Sequence, residues 1–176
     1  MERTKMSPTE RQKYILKQLK TSNQPITGNS LSQLTNVSRQ VIVQDISILK
    51  AKNEPIIATS QGYLYIKDQP LTVQHIIAVN HSPKETRKEL YTIVDHGVTV
   101  KNVIVEHPVY GELTASIMVS SRAEVDQFLE RVEETNATYL SVLTDGIHLH
   151  TLEADTMEKI EGACKALDKE NMLLNI

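Results

Sequence analysis

With 176 residues, of which 40% are apolar and 23% charged, the chain could form one full domain or two small ones, and its composition is globular rather than disordered. No apolar run approaches the roughly 18 residues of a membrane span, no signal-peptide pattern follows the charged N-terminus, and a single cysteine fits a reducing compartment, so a cytoplasmic protein without a membrane partner is expected. The net charge of −3 is the sum of +6 for residues 1–67 (ten Lys or Arg, four Asp or Glu) and −9 for residues 68–176 (nine against eighteen), which suggests a basic half that faces nucleic acid.

Three short helices are predicted in the basic half. The first begins at Ser7-Pro8-Thr9-Glu10, which offers an N-cap, a proline at the first helical position and a capping-box glutamate. A second begins at Thr27-Gly28-Asn29-Ser30, and a third is predicted from Arg39 to about Lys52. The β-branched residues of the third segment would also suit a strand. Helical spacing of its apolar residues favours a helix; these are Ile42, Ile46 and Leu49.

Polar side chains on the other face of the third helix are candidates for contact with double-stranded operator DNA, since long polar groups suit base edges and phosphates in a major groove. The alternative is a merely solvated helix face. The candidate DNA-binding residues are Ser38, Arg39, Gln40, Gln44 and Ser47.

Two β-rich runs follow the third helix, Ile56–Thr59 and Tyr63–Ile66, and the glycine in their short connector predicts a hairpin. Three helices and a hairpin are the order of a winged helix-turn-helix. The stretch from Thr27 to Ile66 resembles the winged-helix domain of biotin-repressor-type regulators, with Val37-Ser38-Arg39-Gln40 at the start of the recognition helix. The resemblance implies a DNA-binding domain over residues 1–67, followed by a linker at residues 68–70.

The remaining residues, 71–176, predict the order β-α-β-β-α-β-β-α. This order indicates an α+β fold, an open α/β sandwich in which helices cover one face of a largely antiparallel sheet and leave the other face free for a ligand or a dimer contact. Asp145-Gly146 is typical of a hairpin turn. The predicted strands are Val73–Val79, Val98–Glu106, Glu112–Val119, Tyr139–Leu143 and Ile147–Leu152.

Four residues on two separated segments have the chemistry of one metal site: His81, Glu89, His148 and His150. On a strand, His148 and His150 would share one face with Cα atoms roughly 6.6 Å apart, so both rings could reach one ion at about 2.0–2.1 Å. Imidazole and carboxylate are ligands of zinc, nickel and iron. On spacing alone Glu85 competes with Glu89, and a lone histidine at a strand end is more often a hydrogen-bonded structural residue.

The segment from about Leu71 onward resembles the three-histidine (3H) domain that follows a winged helix in niacin-responsive transcriptional repressors. The similarity is carried by His81 with Ser82-Pro83 and Glu89, by residues 107–111 and by residues 146–150. It implies that His81, Glu89, His148 and His150 hold one divalent metal. It also implies nicotinic acid as the effector and genes of NAD synthesis or niacin uptake as the targets.

A homodimer is expected because paired recognition helices read half-sites about one helical turn apart. In the turn at residues 107–111, His107 and Tyr110 are candidate effector contacts, although His107 could equally fix the turn. Two other functions stay open: the metal itself could be the effector, or the acidic half could be a DNA-tethered metalloenzyme. The sequence has no glycine-rich phosphate loop, no Gly-x-Ser-x-Gly elbow and no CxxC, which favours a regulator over an enzyme.

Overall fold

The structure is a computed structural model that describes residues 6–66 and 72–174. The chain divides into two compact units, residues 1–69 and 70–176. The expected linker at residues 68–70 and the expected boundary at residue 67 lie outside the described residues.

The N-terminal unit consists of three helices followed by an antiparallel hairpin, as the sequence predicts for a winged helix-turn-helix. Within residues 6–66, seven buried apolar residues form its core: Ile15, Leu19, Leu31, Ile42, Ile46, Leu49 and Ile56. The elements are α1 (Pro8–Thr21), α2 (Gly28–Thr35), α3 (Arg39–Ala51), β1 (Ile56–Thr59) and β2 (Gly62–Tyr65).

Local sequence explains where these elements begin and end. The predicted capping box of α1 is present, since Glu10 N donates to Ser7 Oγ at 3.3 Å and Ser7 N donates to a Glu10 carboxylate oxygen at 3.0 Å. Asn36, with φ of 52°, turns the chain between α2 and α3. A Cβ on Gly62 would lie 2.6 Å from the carbonyl oxygen of Ile26, so only glycine allows the hairpin to approach that segment.

The C-terminal unit is an antiparallel four-stranded sheet in the order β3-β6-β4-β5, with three helices packed on one face. The predicted α+β class is confirmed. Because side chains alternate along a strand, Ile76 and Ile147, exposed to 56% and 50%, point to the other face. The elements are β3 (Val73–Asn80), α4 (Thr86–Val94), β4 (Thr99–His107), β5 (Gly111–Val119), α5 (Arg122–Glu134), β6 (Ile147–Ala154) and α6 (Met157–Lys169).

The predicted strand over Tyr139–Leu143 is wrong, because Leu140–Thr144 forms a 3-10 helix. The strand after it, β6, lies between β3 and β4, so both of its edges are already paired and a hairpin partner has no edge to join. Asp145 and Gly146 do turn the chain, with φ of 52° and 97°, but they connect a helical turn to β6. The observed order is therefore β-α-β-β-α-β-α.

Candidate metal centre and nucleic-acid interface

The two segments that carry the predicted metal ligands are neighbours in the fold. His81 directly follows β3, Glu89 lies on α4, and His148 and His150 lie on β6, which pairs with β3. All four residues are buried. His148 and His150 share the face of β6 that the helices cover, so the cluster lies between sheet and helices and not on the open sheet face.

Glu89 is the centre of this cluster. His81 Nε2 lies 2.7 Å from Glu89 Oε2, while the Nε2 atoms of His150 and His148 lie 3.2 Å and 3.6 Å from Glu89 Oε1. Ligand atoms of His81, Glu89 and His148 all lie within 4.8 Å of one another. His150 is outside that group of three. Its Nε2 nevertheless lies 3.2 Å from Glu89 Oε1, closer than the Nε2 of His148 at 3.6 Å, so we include His150 in the cluster.

Each of the three imidazoles is oriented by a backbone carbonyl. The Nδ1 atoms of His81, His148 and His150 lie 2.8 Å, 2.9 Å and 2.5 Å from the carbonyl oxygens of Ser82, Gly146 and Asn102, respectively. Since a carbonyl oxygen only accepts, each Nδ1 must carry the hydrogen. Each Nε2 therefore faces the carboxylate, and at His81 it donates to Glu89 Oε2 at 2.7 Å. In a neutral ring the same Nε2 carries the lone pair that could bind a metal ion.

Glu85 has a different role from Glu89. Its carboxylate accepts hydrogen bonds from Ser82 N at 3.0 Å and Ser82 Oγ at 2.8 Å, which is the capping box of the helical segment that precedes α4. Glu89 is 1% exposed and faces the imidazoles. Geometry therefore favours Glu89, which the spacing could not distinguish from Glu85.

Gly146 allows the two segments to approach each other. A Cβ at this position would lie 2.6 Å from the carbonyl oxygen of His81 and 2.9 Å from Asn80 Oδ1. The Gly146 carbonyl oxygen accepts from His81 N at 3.4 Å as well as from the His148 ring. The glycine thus allows His81, which follows β3, to lie close to the start of β6, which carries His148.

The charges of the cluster are strongly coupled. Burial alone would lower the pKa of His81 and of His150. Glu89 outweighs it, through a hydrogen bond and its charge at His81 and through its charge at His150, and raises both pKa values above the ordinary histidine value. Burial alone would raise the pKa of Glu89, but His150, His148 and His81 hold that pKa well below the ordinary glutamate value. The carboxylate is therefore ionised and attracts either protons or a cation to the imidazoles.

Two atoms of the cluster are buried without a hydrogen-bond partner, Glu89 Oε1 and His150 Nε2. They approach each other to 3.2 Å, yet their orientation does not make a hydrogen bond. Buried polar atoms are normally paired, so this deficit marks a position for another group. Three imidazole nitrogens and one carboxylate form a donor set that fits a divalent transition metal.

His107 and Tyr110 do not join this cluster. His107 Nδ1 accepts hydrogen bonds from Val109 N at 3.1 Å and Tyr110 N at 3.2 Å, and the two rings lie 4.9 Å apart. Tyr110 is 74% exposed. These contacts hold the turn between β4 and β5, the second of the two roles considered for His107.

The candidate DNA contacts lie together on α3 and are all exposed. Ser38 is the N-cap of α3 and accepts from Val41 N at 3.4 Å. Gln44 and Ser38 line one concave surface with Gln33 and Asn36, which the sequence reasoning did not single out. The hydroxyl of Ser47 instead donates to the Val43 carbonyl at 2.9 Å, so it is already engaged within its own helix.

The sequence reasoning also missed a buried ion pair beneath α3. Arg11 Nε lies 2.5 Å from Asp45 Oδ2, a second guanidinium nitrogen lies 3.3 Å from Oδ1, and Gln12 donates to Oδ1 at 3.1 Å. Asp45 is 2% exposed. The sequence did contain an indication of this ion pair, because the acidic residue Asp45 lies three positions after Ile42, on the apolar stripe of the helix.

Comparisons with known proteins agree with this architecture. A model of an HTH domain matches residues 11–64, and a model of the 3H domain matches residues 74–176. The chain is 53% identical over 176 residues to the transcription repressor NadR of Bacillus subtilis (strain 168), with 98% of each chain covered. It is 41% identical over 165 residues to the probable transcription repressor NiaR of Thermotoga maritima, with 94% of each covered.

These relatives are named as transcription repressors and not as enzymes, and they identify the chain as a DNA-binding regulator. Among the helices of residues 6–66 and 72–174, none combines the length and apolar character that crossing a membrane requires. The resemblance seen in the sequence is confirmed: the chain belongs to the NadR/NiaR family of transcription repressors, in which a helix-turn-helix domain precedes a 3H domain.

Proposed function

We propose that this protein is a cytoplasmic, metal-containing repressor that binds operator DNA as a homodimer and responds to nicotinic acid. Its targets would be genes of NAD synthesis or niacin uptake. In this proposal residues 1–67 bind DNA and residues 71–176 bind the metal and the effector, with His81, Glu89, His148 and His150 as the metal ligands.

The observation that carries the proposal is the common orientation of the three imidazoles. All three Nδ1 atoms donate to backbone carbonyls at 2.5–2.9 Å, so all three Nε2 atoms are free to face one buried carboxylate. Histidines with a purely structural role would not need to share one ring orientation. The donor set is neutral nitrogen plus one oxygen, which suits zinc, nickel or iron.

Nicotinic acid has the groups that such an ion would recognise. Its pyridine nitrogen or its carboxylate could add to the coordination of a metal that accepts more than four ligands. The effector must bind the DNA-competent arrangement more tightly than the other arrangement, because a ligand with equal affinity for both shifts no population.

The DNA half supports a sequence-specific repressor. Arg39, Gln40 and Gln44 are exposed on α3, and their long polar side chains could reach base edges. In a dimer formed through the C-terminal units, two such helices would read two half-sites.

The test is operator binding by fluorescence anisotropy, measured with and without nicotinic acid on metal-loaded and on chelated protein. The proposal expects tight operator binding only when metal and nicotinic acid are both present. Nicotinamide, which lacks the carboxylate, is the matched control ligand. If the operator affinity of the metal-loaded protein is the same with and without nicotinic acid, the effector assignment is wrong.

A metal-responsive repressor is the second candidate, and the completeness of the cluster favours it. Four protein ligands saturate a tetrahedral zinc ion, and all four residues are buried. Metal alone would then give tight operator binding, and nicotinic acid would add nothing. The same grid of measurements separates the two functions.

A further inference from the structure

Thr86, the first residue of α4, has a buried hydroxyl with no hydrogen-bond partner. The residue is 8% exposed. Among residues 6–66 and 72–174, the other buried side-chain atoms in this condition are Glu89 Oε1 and His150 Nε2, both in the candidate metal centre. The hydroxyl thus shares its unusual state with the two unpaired atoms of that centre.

Other helical threonines of this chain show what the Thr86 hydroxyl would normally do. The hydroxyls of Thr21, Thr35, Thr92 and Thr135 each donate to the carbonyl oxygen four residues earlier, at 3.0 Å, 2.6 Å, 2.8 Å and 2.6 Å. This is the usual local bond of a threonine inside a helix. Thr86, the first residue of α4, does not make this bond although its hydroxyl is buried.

The carbonyl oxygen that would accept from the Thr86 hydroxyl already accepts a hydrogen bond from a histidine of the candidate metal centre. Four residues earlier lies Ser82, whose carbonyl oxygen accepts from His81 Nδ1 at 2.8 Å and from Glu85 N at 3.0 Å. Two donors satisfy both lone pairs of a carbonyl oxygen. The contact that orients His81 therefore leaves the Thr86 hydroxyl available as a donor.

Thr86 and Glu89 lie three residues apart on α4, so their side chains are neighbours on one helix face. Without metal, the Glu89 oxygens face the Nε2 atoms of the imidazoles. When the His81 Nε2 gives its lone pair to an ion, it no longer donates to the carboxylate oxygen that lies 2.7 Å away. A carboxylate that offers one oxygen to the ion then has a second, buried oxygen that requires a donor.

We propose that Thr86 is a positioning residue of the metal centre, and that its hydroxyl donates a hydrogen bond to the Glu89 oxygen that the metal does not use. The inference rests on the proposed metal-binding function. It adds a fifth residue to the centre, one that orients a ligand without touching the ion.

The test compares metal affinity in Thr86→Val, which keeps the shape and removes the hydroxyl, with that in Thr86→Ser, which keeps the hydroxyl. Zinc and nickel affinities are measured by competition with a chromophoric chelator. Thr86→Val is expected to weaken metal binding by about 10–100-fold, as loss of an outer-sphere partner does, and Thr86→Ser to retain affinity within about threefold. Thr92→Val is the matched control on the same helix, because its hydroxyl bonds to the Lys88 carbonyl, and should leave affinity unchanged.

Thermal unfolding of the chelated proteins separates positioning from a general structural role. Removing an unpaired buried hydroxyl should leave the Tm of chelated Thr86→Val equal to or above that of the wild type, with a rise of up to about 4 °C. A structural role would lower that Tm and leave metal affinity intact. If Thr86→Val fails to fold, Thr86→Ala provides a second hydroxyl-free variant.

The failures of the two proposals are distinguishable. Absence of metal binding in the wild-type protein would overturn the metal-containing function and the role of Thr86 with it. Tight metal binding that is equal in the wild type and in Thr86→Val would overturn the role of Thr86 alone. Unchanged metal affinity with weakened nicotinic acid binding would also overturn it, since the hydroxyl would then contact the effector and not Glu89.

Discussion

Each of the two units buries charged side chains, but the two groups of charges are satisfied to very different degrees. In the N-terminal unit, Asp45 receives two guanidinium contacts from Arg11 and one amide hydrogen bond from Gln12, and Lys52 donates to the side-chain Oε1 of Gln12 at 3.2 Å. In the C-terminal unit, Glu89 Oε1 and His150 Nε2 remain unpaired although both are buried.

The fully paired network around Asp45 is typical of a structural element, whereas the incompletely paired cluster around Glu89 is typical of a binding site. A buried polar network whose members are all paired fixes one arrangement of the chain, whereas an incompletely paired one is costly unless a further group completes it. The Arg11–Asp45 pair therefore holds α1 against α3, and the histidine–glutamate cluster is the proposed site for an ion. Variants that break one group should affect folding, and variants that break the other should affect metal binding.

The largest effect is expected from His148→Ala combined with His150→Ala. Removing two of four ligands should weaken metal binding by more than about 1,000-fold, since each ligand exchange costs at least the 10–100-fold of an outer-sphere change. Metal content by mass spectrometry after desalting is the measurement. The helices of the N-terminal unit should remain, as seen by circular dichroism, and a metal content equal to the wild type would refute the ligand assignment.

Asp45→Ala should destabilise the N-terminal unit by about 3–5 kcal/mol, because it leaves the Arg11 guanidinium buried without its carboxylate. Urea unfolding measures the loss. The double variant Arg11→Met with Asp45→Leu is the control and should cost much less, since it removes both charges together. Metal affinity should be unchanged in both, and a reduced metal affinity would contradict the separation of roles.

The coupled pKa values of the cluster predict how the folding stability of the metal-free C-terminal unit depends on pH. The raised pKa values of His81 and His150 mean that their contact with Glu89 stabilises the chelated unit below about pH 6.5, the ordinary histidine value, and that this stability is lost as pH rises through the folded pKa values. The lowered pKa of Glu89 contributes stability above about pH 4.5, which is lost as pH falls through its folded pKa.

Metal binding should show the opposite trend, because the ion must displace those protons. We expect zinc affinity to fall by about tenfold per pH unit for each proton displaced, below the raised pKa values of the histidines. Calorimetry in buffers of different ionisation enthalpy counts the protons released. An affinity independent of pH between about 5 and 7 would show that these imidazoles are not the ligands.

Periodicity and capping patterns were sufficient to predict most of the fold. The capping box at Ser7 and the apolar stripe of α3 depend on neighbours within one or two turns, and the structure has helices at both positions. The strand predicted over Tyr139–Leu143 failed because its fate depended on sheet order, a long-range property that places β6 between two other strands.

The candidate site divides in the same way. Alternation along one strand placed His148 and His150 on one face, and the structure brings His81 and Glu89 to them. Spacing alone left Glu85 and Glu89 open and the resemblance implied Glu89; the capping contact of Glu85 favours the same choice. Asn102, whose carbonyl orients His150 from another strand, has no local signal in the sequence.

The smallest effects are expected on the side of α3 that is proposed to face DNA, where side chains are exposed and contribute little to folding. Arg39→Ala and Gln44→Ala should each weaken operator binding by about 1–3 kcal/mol, while stability stays within about 0.5 kcal/mol and metal affinity is unchanged. Anisotropy titrations at several salt concentrations distinguish the contacts. Loss of a phosphate contact in Arg39→Ala would lower the salt dependence of binding, whereas loss of a base contact in Gln44→Ala would relax the base preference at one operator position.

Lys50→Ala, which removes an exposed cation in the last turn of the same helix, is the matched control for charge loss alone. Because the buried Asp45 holds α3 in place from the opposite side, normal operator affinity in both variants would mean that another face of α3 meets DNA.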